Sequence, residues 1–393
     1  MTQVKSDPFA DVRAFLQPKL RLFLSADLVG STKLKQSGFF PLDPPKEDED
    51  LKSLGPKWFS PVAGFYLDFE SLFANRWAQY NTDTQKPVGW TSGPDPVLWK
   101  TNGDELLYVK EINQPDQIYS CIIAWMEAIR EYREILKQNK SPLDVKGTAW
   151  IAGFPIANHE IIFRSSVKEN SLTLDTGRGP QFNHFYYLEK EAQNPGENGL
   201  IQDFIGPSID TGFRLATYAT PRRFPISIET ALVLSTVAAP PTVRLKIYFA
   251  GKHELKGVLG GKPYPIFWID TTSGDGLIRS EDKITKHPDA LAVEDIRDFC
   301  ELFISDNEQF LFRPFIHACN EASFQNRPSN YDARLNALSA RWVAEKEKFK
   351  IEQESIAGNT PPDDESNTSS PSEGDISAFA SGITIADTPK NGS

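Results

Sequence analysis

The stretch "LRLFLSAD", Leu20 to Asp27, constrains the fold more than any other part of the chain. Its apolar residues alternate too little for a strand with one wet face, so it reads as a buried, central strand. The run stops on a carboxylate, Asp27, and "LVGST" then turns through Gly30 into hydroxyl residues. A carboxylate at the inner end of such a strand is either a turn residue or part of a charged site.

The surrounding segments supply neighbours for that strand. "YLDFESLFANRWAQY" carries apolar residues at helical spacing, the mark of an amphipathic helix. "PVLWKTNGDELLYVKEI" is apolar, breaks at Asn-Gly-Asp and turns apolar again, which is a hairpin pattern with a glycine at its tip. "DQIYSCIIAWMEAIREYREILKQN" is a long helix with an Asp cap, and "PLDVKGTAWIAGFPI" is a second buried strand. The order β-α-β-β-α-β predicts an α+β, ferredoxin-like domain, with two helices over one face of an antiparallel sheet. Residues 158–204 read as an irregular, polar hairpin or insertion. "PSIDTGFRLATYA" opens a helix, "FPISIETALVLS" gives a strand and a helix, and "VRLKIYFAG" and "PYPIFWID" give two more strands.

The chain therefore divides into a polar lead-in at 1–19, with a short amphipathic piece from Phe9 to Phe15, and a main domain at 20–275. A helical C-terminal extension follows at 276–354, and then a tail at 355–393. The tail is rich in Ser, Thr, Pro and acidic residues; it cannot bury enough apolar surface to offset ordering entropy and is expected to be disordered.

The 393 residues carry a net charge of −11, which argues against a general nucleic-acid binder. A single nucleotide held by metal ions is compatible with that charge. No apolar run reaches the length of a membrane span, and the N-terminus lacks a signal-peptide pattern. Cys121, Cys300 and Cys319 sit far apart with neither disulfide nor metal spacing, so a reduced, cytoplasmic home is expected. His159, His184, His253, His287 and His317 are scattered and read as ordinary polar residues. "KWFSPVAGFYLDF" reads as core or dimer surface ahead of a helix, with base stacking as the other use of its rings.

In the ferredoxin-like plan the first strand and the hairpin are neighbours, so Asp27 and Asp104, at the tip of "KTNGDE", converge at one sheet edge. Two such carboxylates repel unless a cation lies between them. Hard divalent ions are held by one or two carboxylates plus substrate phosphates, and a pair of them about 3.5–4 Å apart can drive an in-line displacement.

On these residues the chain resembles the class III nucleotidyl cyclases. "FLSADLVGST" and "WKTNGDELLYV" look like the family's two metal-binding motifs, and the resemblance runs from about residue 20 to 270. It implies that Asp27 and Asp104 bind two divalent ions, Mn²⁺ or Mg²⁺, with Leu28 lending its carbonyl. Gly30, Ser31 and Thr32 would cradle the triphosphate with backbone N–H groups. "DFIGPSIDTGFRLA" resembles the stretch Asp-x-x-Gly-x-x-Val-Asn-x-x-x-Arg. By it Asp203 contacts the base and Arg214 neutralises charge on the α-phosphate. Asp210 stands where the family has the asparagine that orients the ribose; the other use of Asp210 and Arg214, four apart, is a surface ion pair. "HELKGVLGG" makes Lys256 a candidate for the triphosphate, by a short match.

Lys100 and Asp203 fall where adenylate cyclases read the base edge, and a donor beside an acceptor suits adenine, cytosine and uracil alike. "WKTNGDE", with its tryptophan and its glutamate, and the Asn-to-Asp change resemble the bacterial Pycsar antiphage pyrimidine cyclases. That resemblance implies UTP, or else CTP, as substrate. It also implies a cyclic pyrimidine messenger and a separate effector. Sites would form between two chains of a homodimer, one supplying Asp27 and Asp104, the other Lys100, Asp203, Asp210, Arg214 and Lys256. An adenylate cyclase and an inactive nucleotide-binding module are the alternatives.

Overall fold

The computed structural model describes residues 12–37, 56, 58–82, 86–164, 178–196, 200–272, 275–286, 289–317 and 319–358. The start of the lead-in, most of the proline-rich acidic loop after residue 40, His287 and the tail from 359 lie outside the described residues.

Strand β1 (Lys19–Val29) is followed by the short helix α1 (Ser31–Gln36) and by α2 (Phe59–Thr82). The hairpin β2 (Val97–Asn102) and β3 (Glu105–Ile112) comes next, then α3 (Asp116–Gln138) and β4 (Asp144–Phe154). β1 pairs antiparallel with β3 on one edge and β4 on the other, and β2 pairs with β3. The order β2-β3-β1-β4 is that of the expected ferredoxin-like domain, with β1 central as its apolar run requires. α2 starts earlier than its apolar spacing suggests and takes in Phe59 to Phe65; Pro61 sits in the first turn, where its missing N–H costs nothing.

Three further strands widen the sheet. β7 (Arg223–Ile226) lies parallel to β4, and β9 (Tyr264–Asp270) joins it to β8 (Ile247–His253) at the far edge. α6 (Ile228–Thr236) joins α2 and α3 on one face, where Leu20, Leu22, Leu24, Ala26 and Leu28 of β1 are buried. α7 (Gly276–Thr285) and α8 (Val293–Asp306) follow β9, and α9 (Tyr331–Gly358) ends the described chain. The extension is not one continuous helical run: residues 307–317 and 319–330, which include Pro314 and Pro328, are largely irregular and bury Leu311, Phe315, Ile316 and Phe324 instead. The chain divides at Ala344, beyond which the described residues are the charged last turns of α9.

The second face of the sheet departs from the expectation of a single covered face. Residues 158–204 contain the hairpin strands β5 (His159–Arg164) and β6 (Leu200–Ile205), which pair with each other, and also a helix, α4 (Pro180–Gln193). β6 leads into α5 (Pro207–Leu215), and the two lay Phe204 and Ile209 against Phe23, Trp150 and Phe154. Phe23 stacks on Trp150 at 5.5 Å and meets Phe204 edge-on at 5.2 Å. Arg21 locks this layer down: its guanidinium lies over Phe154 and Phe204 and pairs with Glu160 at 2.7 Å. Leu22, Phe23 and Leu24 are all fully buried because both faces of β1 are covered. All three cysteines are free and buried.

Candidate active site

Asp27 lies near the end of β1, on the face of Phe23 and Ser25, level with Glu105 on β3 and Lys146 on β4. Lys146 Nζ stands 3.1 Å from its carboxylate. The β2–β3 turn passes through Gly103 at φ +68°, a conformation that suits glycine, and this puts Asp104 at the hairpin tip. The Tyr66 hydroxyl of α2 donates to the Gly103 carbonyl and holds the turn. Leu28 N–H donates to the Asp104 carbonyl at 3.2 Å, which ties the strand end to the hairpin tip. Asp27, Leu28 and Asp104 therefore share one edge.

Gly30, at φ +90°, turns the chain from β1 into α1. Buried Ser31 donates its hydroxyl to Asp104, Lys35 Nζ lies 3.3 Å from the same carboxylate, and Thr32 is exposed. Glu105 is a third carboxyl at this edge; burial pushes its pKa up, as does the Asp27 charge, against a Ser25 hydroxyl bond that lowers it. Among the described residues no group of three or more His, Cys, Asp and Glu forms a metal-ligating cluster. Two aspartates at this edge offer hard oxygen, a donor type that suits Mg²⁺ or Mn²⁺. Each aspartate is answered by a lysine.

Lys100 and Asp203 meet on the same face of the sheet. Lys100 Nζ lies 2.8 Å from Asp203 Oδ1, and the Trp99 indole N–H and the Phe204 N–H donate to that same oxygen at 3.0 and 2.9 Å. Lys100 is level with Leu107 and Ser25, two register rows inward from Asp27. Both side chains are more than a third exposed, so the pair is open to a ligand.

Asp210 and Arg214 are both exposed on α5, and the ion pair their spacing permits is not formed. α5 sits close to β4 because Gly212 packs on Trp150; a Cβ there would fall 2.1 Å from the indole. Lys256 is exposed in the β8–β9 connection, and in one chain β4, β7 and β9 separate β8 from β1. The structure thus brings Asp27, Leu28, Asp104 and Ser31 together, and separately Lys100 with Asp203, but not Lys256 with either group. His159 and His184 have pKa values lowered chiefly by burial, and His253 bonds the Ala250 carbonyl. In "KWFSPVAGFYLDF", Val62, Phe65 and Phe69 are core, while Phe59 is exposed.

Sequence reasoning missed Lys35 and Lys146 as partners of the two aspartates and Trp99 as a partner of Asp203. Only strand pairing reveals that Lys146 faces Asp27. Among the described residues, no helix is long and apolar enough to cross a membrane.

No protein-family model and no curated protein matches the sequence. Several solved structures overlap it. The adenylyl cyclase CyaB from P. aeruginosa does so at 13% identity and a TM-score of 0.40, over 64% of this chain and 94% of that one. The guanylate cyclase domain of RhGC from Catenaria anguillulae, in complex with GTP, does so at 10% identity and 0.37, over 64% and 97%. A bacterial light-regulated adenylyl cyclase overlaps at 11% identity and 0.37, over 69% and 98%.

Proposed function

We propose that this chain is a nucleotidyl cyclase that converts a pyrimidine nucleoside triphosphate, UTP before CTP, into its 3′,5′-cyclic monophosphate and pyrophosphate. The observation that carries the reading is the shared edge of Asp27 and Asp104, joined by the Leu28 N–H bond to the Asp104 carbonyl, on a chain that also presents a Lys100–Asp203 pair. The motif resemblance supports it from the sequence side.

In this reading Asp27, Asp104 and the Leu28 carbonyl hold two divalent ions. When bound, such ions acidify the ribose 3′-hydroxyl and offset charge on the phosphates. Lys100 and Asp203 grip the base edge, and Asp210 the ribose. Arg214 offers a fixed fork of N–H donors to charge that builds on the α-phosphate as the 3′-oxygen attacks and pyrophosphate leaves. Gly30, Ser31 and Thr32, with Lys256, hold the triphosphate. Two chains share each site, one giving the aspartate edge and the other the base pair and α5. The product acts in the cytoplasm on a separate effector, as the resemblance to antiphage cyclases implies.

The Lys100–Asp203 pair suits N1 and the 6-amino group of adenine equally, so ATP cyclisation is the second reading. Incubating the protein with each of the four NTPs and Mn²⁺, with products identified by mass, separates them. A cyclic pyrimidine nucleotide is expected. Cyclic AMP alone would transfer the assignment to the second reading, and no product from any NTP would leave a binding module. Asp104→Ala should lower turnover by about a thousandfold or more while circular dichroism stays unchanged; retained turnover would remove Asp104 from the metal site.

A further inference from the structure

Successive side chains of a regular strand point to opposite faces. Trp99 and Lys100 are successive residues of β2, yet both donate to one atom, Oδ1 of Asp203. The β2–β3 register slips between Leu98 and Lys100. Such a bulge re-aims side chains, and bulges gather beside functional sites. With the Phe204 N–H as third donor, Oδ1 is fully committed to the protein. Oδ2 accepts no hydrogen bond from the described residues. Trp99 itself is held by Phe23 and Phe204 at 5.3 and 5.2 Å and by Phe213 at 6.0 Å, and the Lys100 ammonium lies 4.1 Å from its ring centre.

A carboxylate free to spin about its last bond offers either oxygen to a ligand and selects weakly. One oxygen pinned by three donors leaves the other in a fixed place, beside a lysine that still has N–H groups to give. We propose that the β2 bulge and the Trp99 indole N–H form a clamp that turns Asp203 so that Oδ2 and Lys100 together read a nucleobase edge carrying a donor next to an acceptor. Trp99 is then a positioning residue for base choice, acting through Asp203. This rests on the cyclase reading above.

The bland use of the same bond is to pin the β5–β6 hairpin to the sheet. Trp99→Phe separates the two, because it keeps a ring against Phe23, Phe204 and Phe213 and loses only the N–H and the ring's far edge. The full chain and this variant are titrated calorimetrically with the 3′-deoxy forms of ATP, CTP, GTP and UTP in Mn²⁺; without a 3′-hydroxyl these cannot turn over. In the variant, the Kd of the preferred nucleotide, and of the one whose base shows the same order of donor and acceptor, should rise about tenfold, the size expected for one hydrogen bond to a charged acceptor. The other two should move less than about threefold. KM for the natural triphosphate should rise in step while kcat stays within about twofold, as for lost uniform binding. Unchanged preference in a folded variant would overturn the clamp. If Trp99→Phe fails to fold, Trp99→His, which keeps a ring N–H, decides: retained preference supports the clamp, and lost preference in a folded protein overturns it. Wild-type protein that binds no nucleotide, or all four alike, overturns base reading by Asp203 altogether, and so strikes the cyclase reading and not Trp99 alone.

Discussion

Lys146 stands 3.1 Å from Asp27 and Lys35 3.3 Å from Asp104, each pair partly open to water. Ion pairs of this exposure contribute at most about 1 kcal/mol to folding. Their larger effect is on whatever else approaches the aspartates, because a unit positive charge a few ångströms away repels a cation. Lys146→Gln should therefore tighten Mn²⁺ binding by at least about tenfold, since even water-like screening leaves about 1 kcal/mol between unit charges about 4 Å apart and about twice that for a divalent ion. The loss of free-Mn²⁺ paramagnetic resonance on titration measures it without any turnover. Weaker binding in the variant would mean that Lys146 helps to build the metal site. Asp27 and Asp104 were legible in the sequence because each ends an apolar strand at a turn, which is a local pattern. Lys146 was not, because its place opposite Asp27 comes from the pairing of β1 with β4.

α5 shows the same division among elements. "PSIDTGFRLA" announces a helix, with Pro207 in its first turn, where proline is tolerated. Nothing in it says how closely the helix sits on the sheet. That distance is set by Gly212, whose missing Cβ leaves room for the buried Trp150. Gly212→Ala should favour the helix locally but push α5 off β4, costing about 1–3 kcal/mol of stability. Turnover should fall as well, since Arg214 rides on α5. Thermal unfolding and kcat check this together, and an unaltered pair of values would mean that α5 yields without cost. α4 and α7 differ in how far their sequences announce them. α7 falls within the helical extension expected at 276–354, although it buries no residue and leaves Leu277 and Ile284 exposed. α4 lies in a polar stretch, and its Phe182 and Phe185 find their partner in Trp342 of α9, far along the chain.

At the scale of the molecule, the junction of α6, β9 and α8 carries a buried carboxyl. Glu229 is 3% exposed, its side chain bonded to Ser227 and Tyr264, with buried Cys300 of α8 nearby. Burial, partly offset by those hydrogen bonds, raises its pKa from 4.5 to about 7. The folded state thus holds this proton more tightly than the unfolded chain does. The group's contribution is fully present below pH 4.5 and is lost as pH rises through about 7. The loss is on the order of 3 kcal/mol. Urea midpoints at pH 5 and pH 8 should show it, and Glu229→Gln should abolish this part of the difference. A variant with the wild-type pH dependence would place the cause elsewhere.

The sequence by itself determined the order of strands and helices through the ferredoxin-like domain, the central position of β1, and the two aspartates at strand ends. Periodicity, turn residues and caps act over a few neighbouring residues, so a linear reading reaches them. Only the tertiary structure decided that a second layer covers β1, that lysines answer both aspartates, and that Trp99 and Lys100 converge on Asp203. Those outcomes depend on strand register, on a one-residue bulge and on side chains brought in from distant segments. A slip of one residue moves a side chain to the other face of a sheet, and no local pattern carries that information.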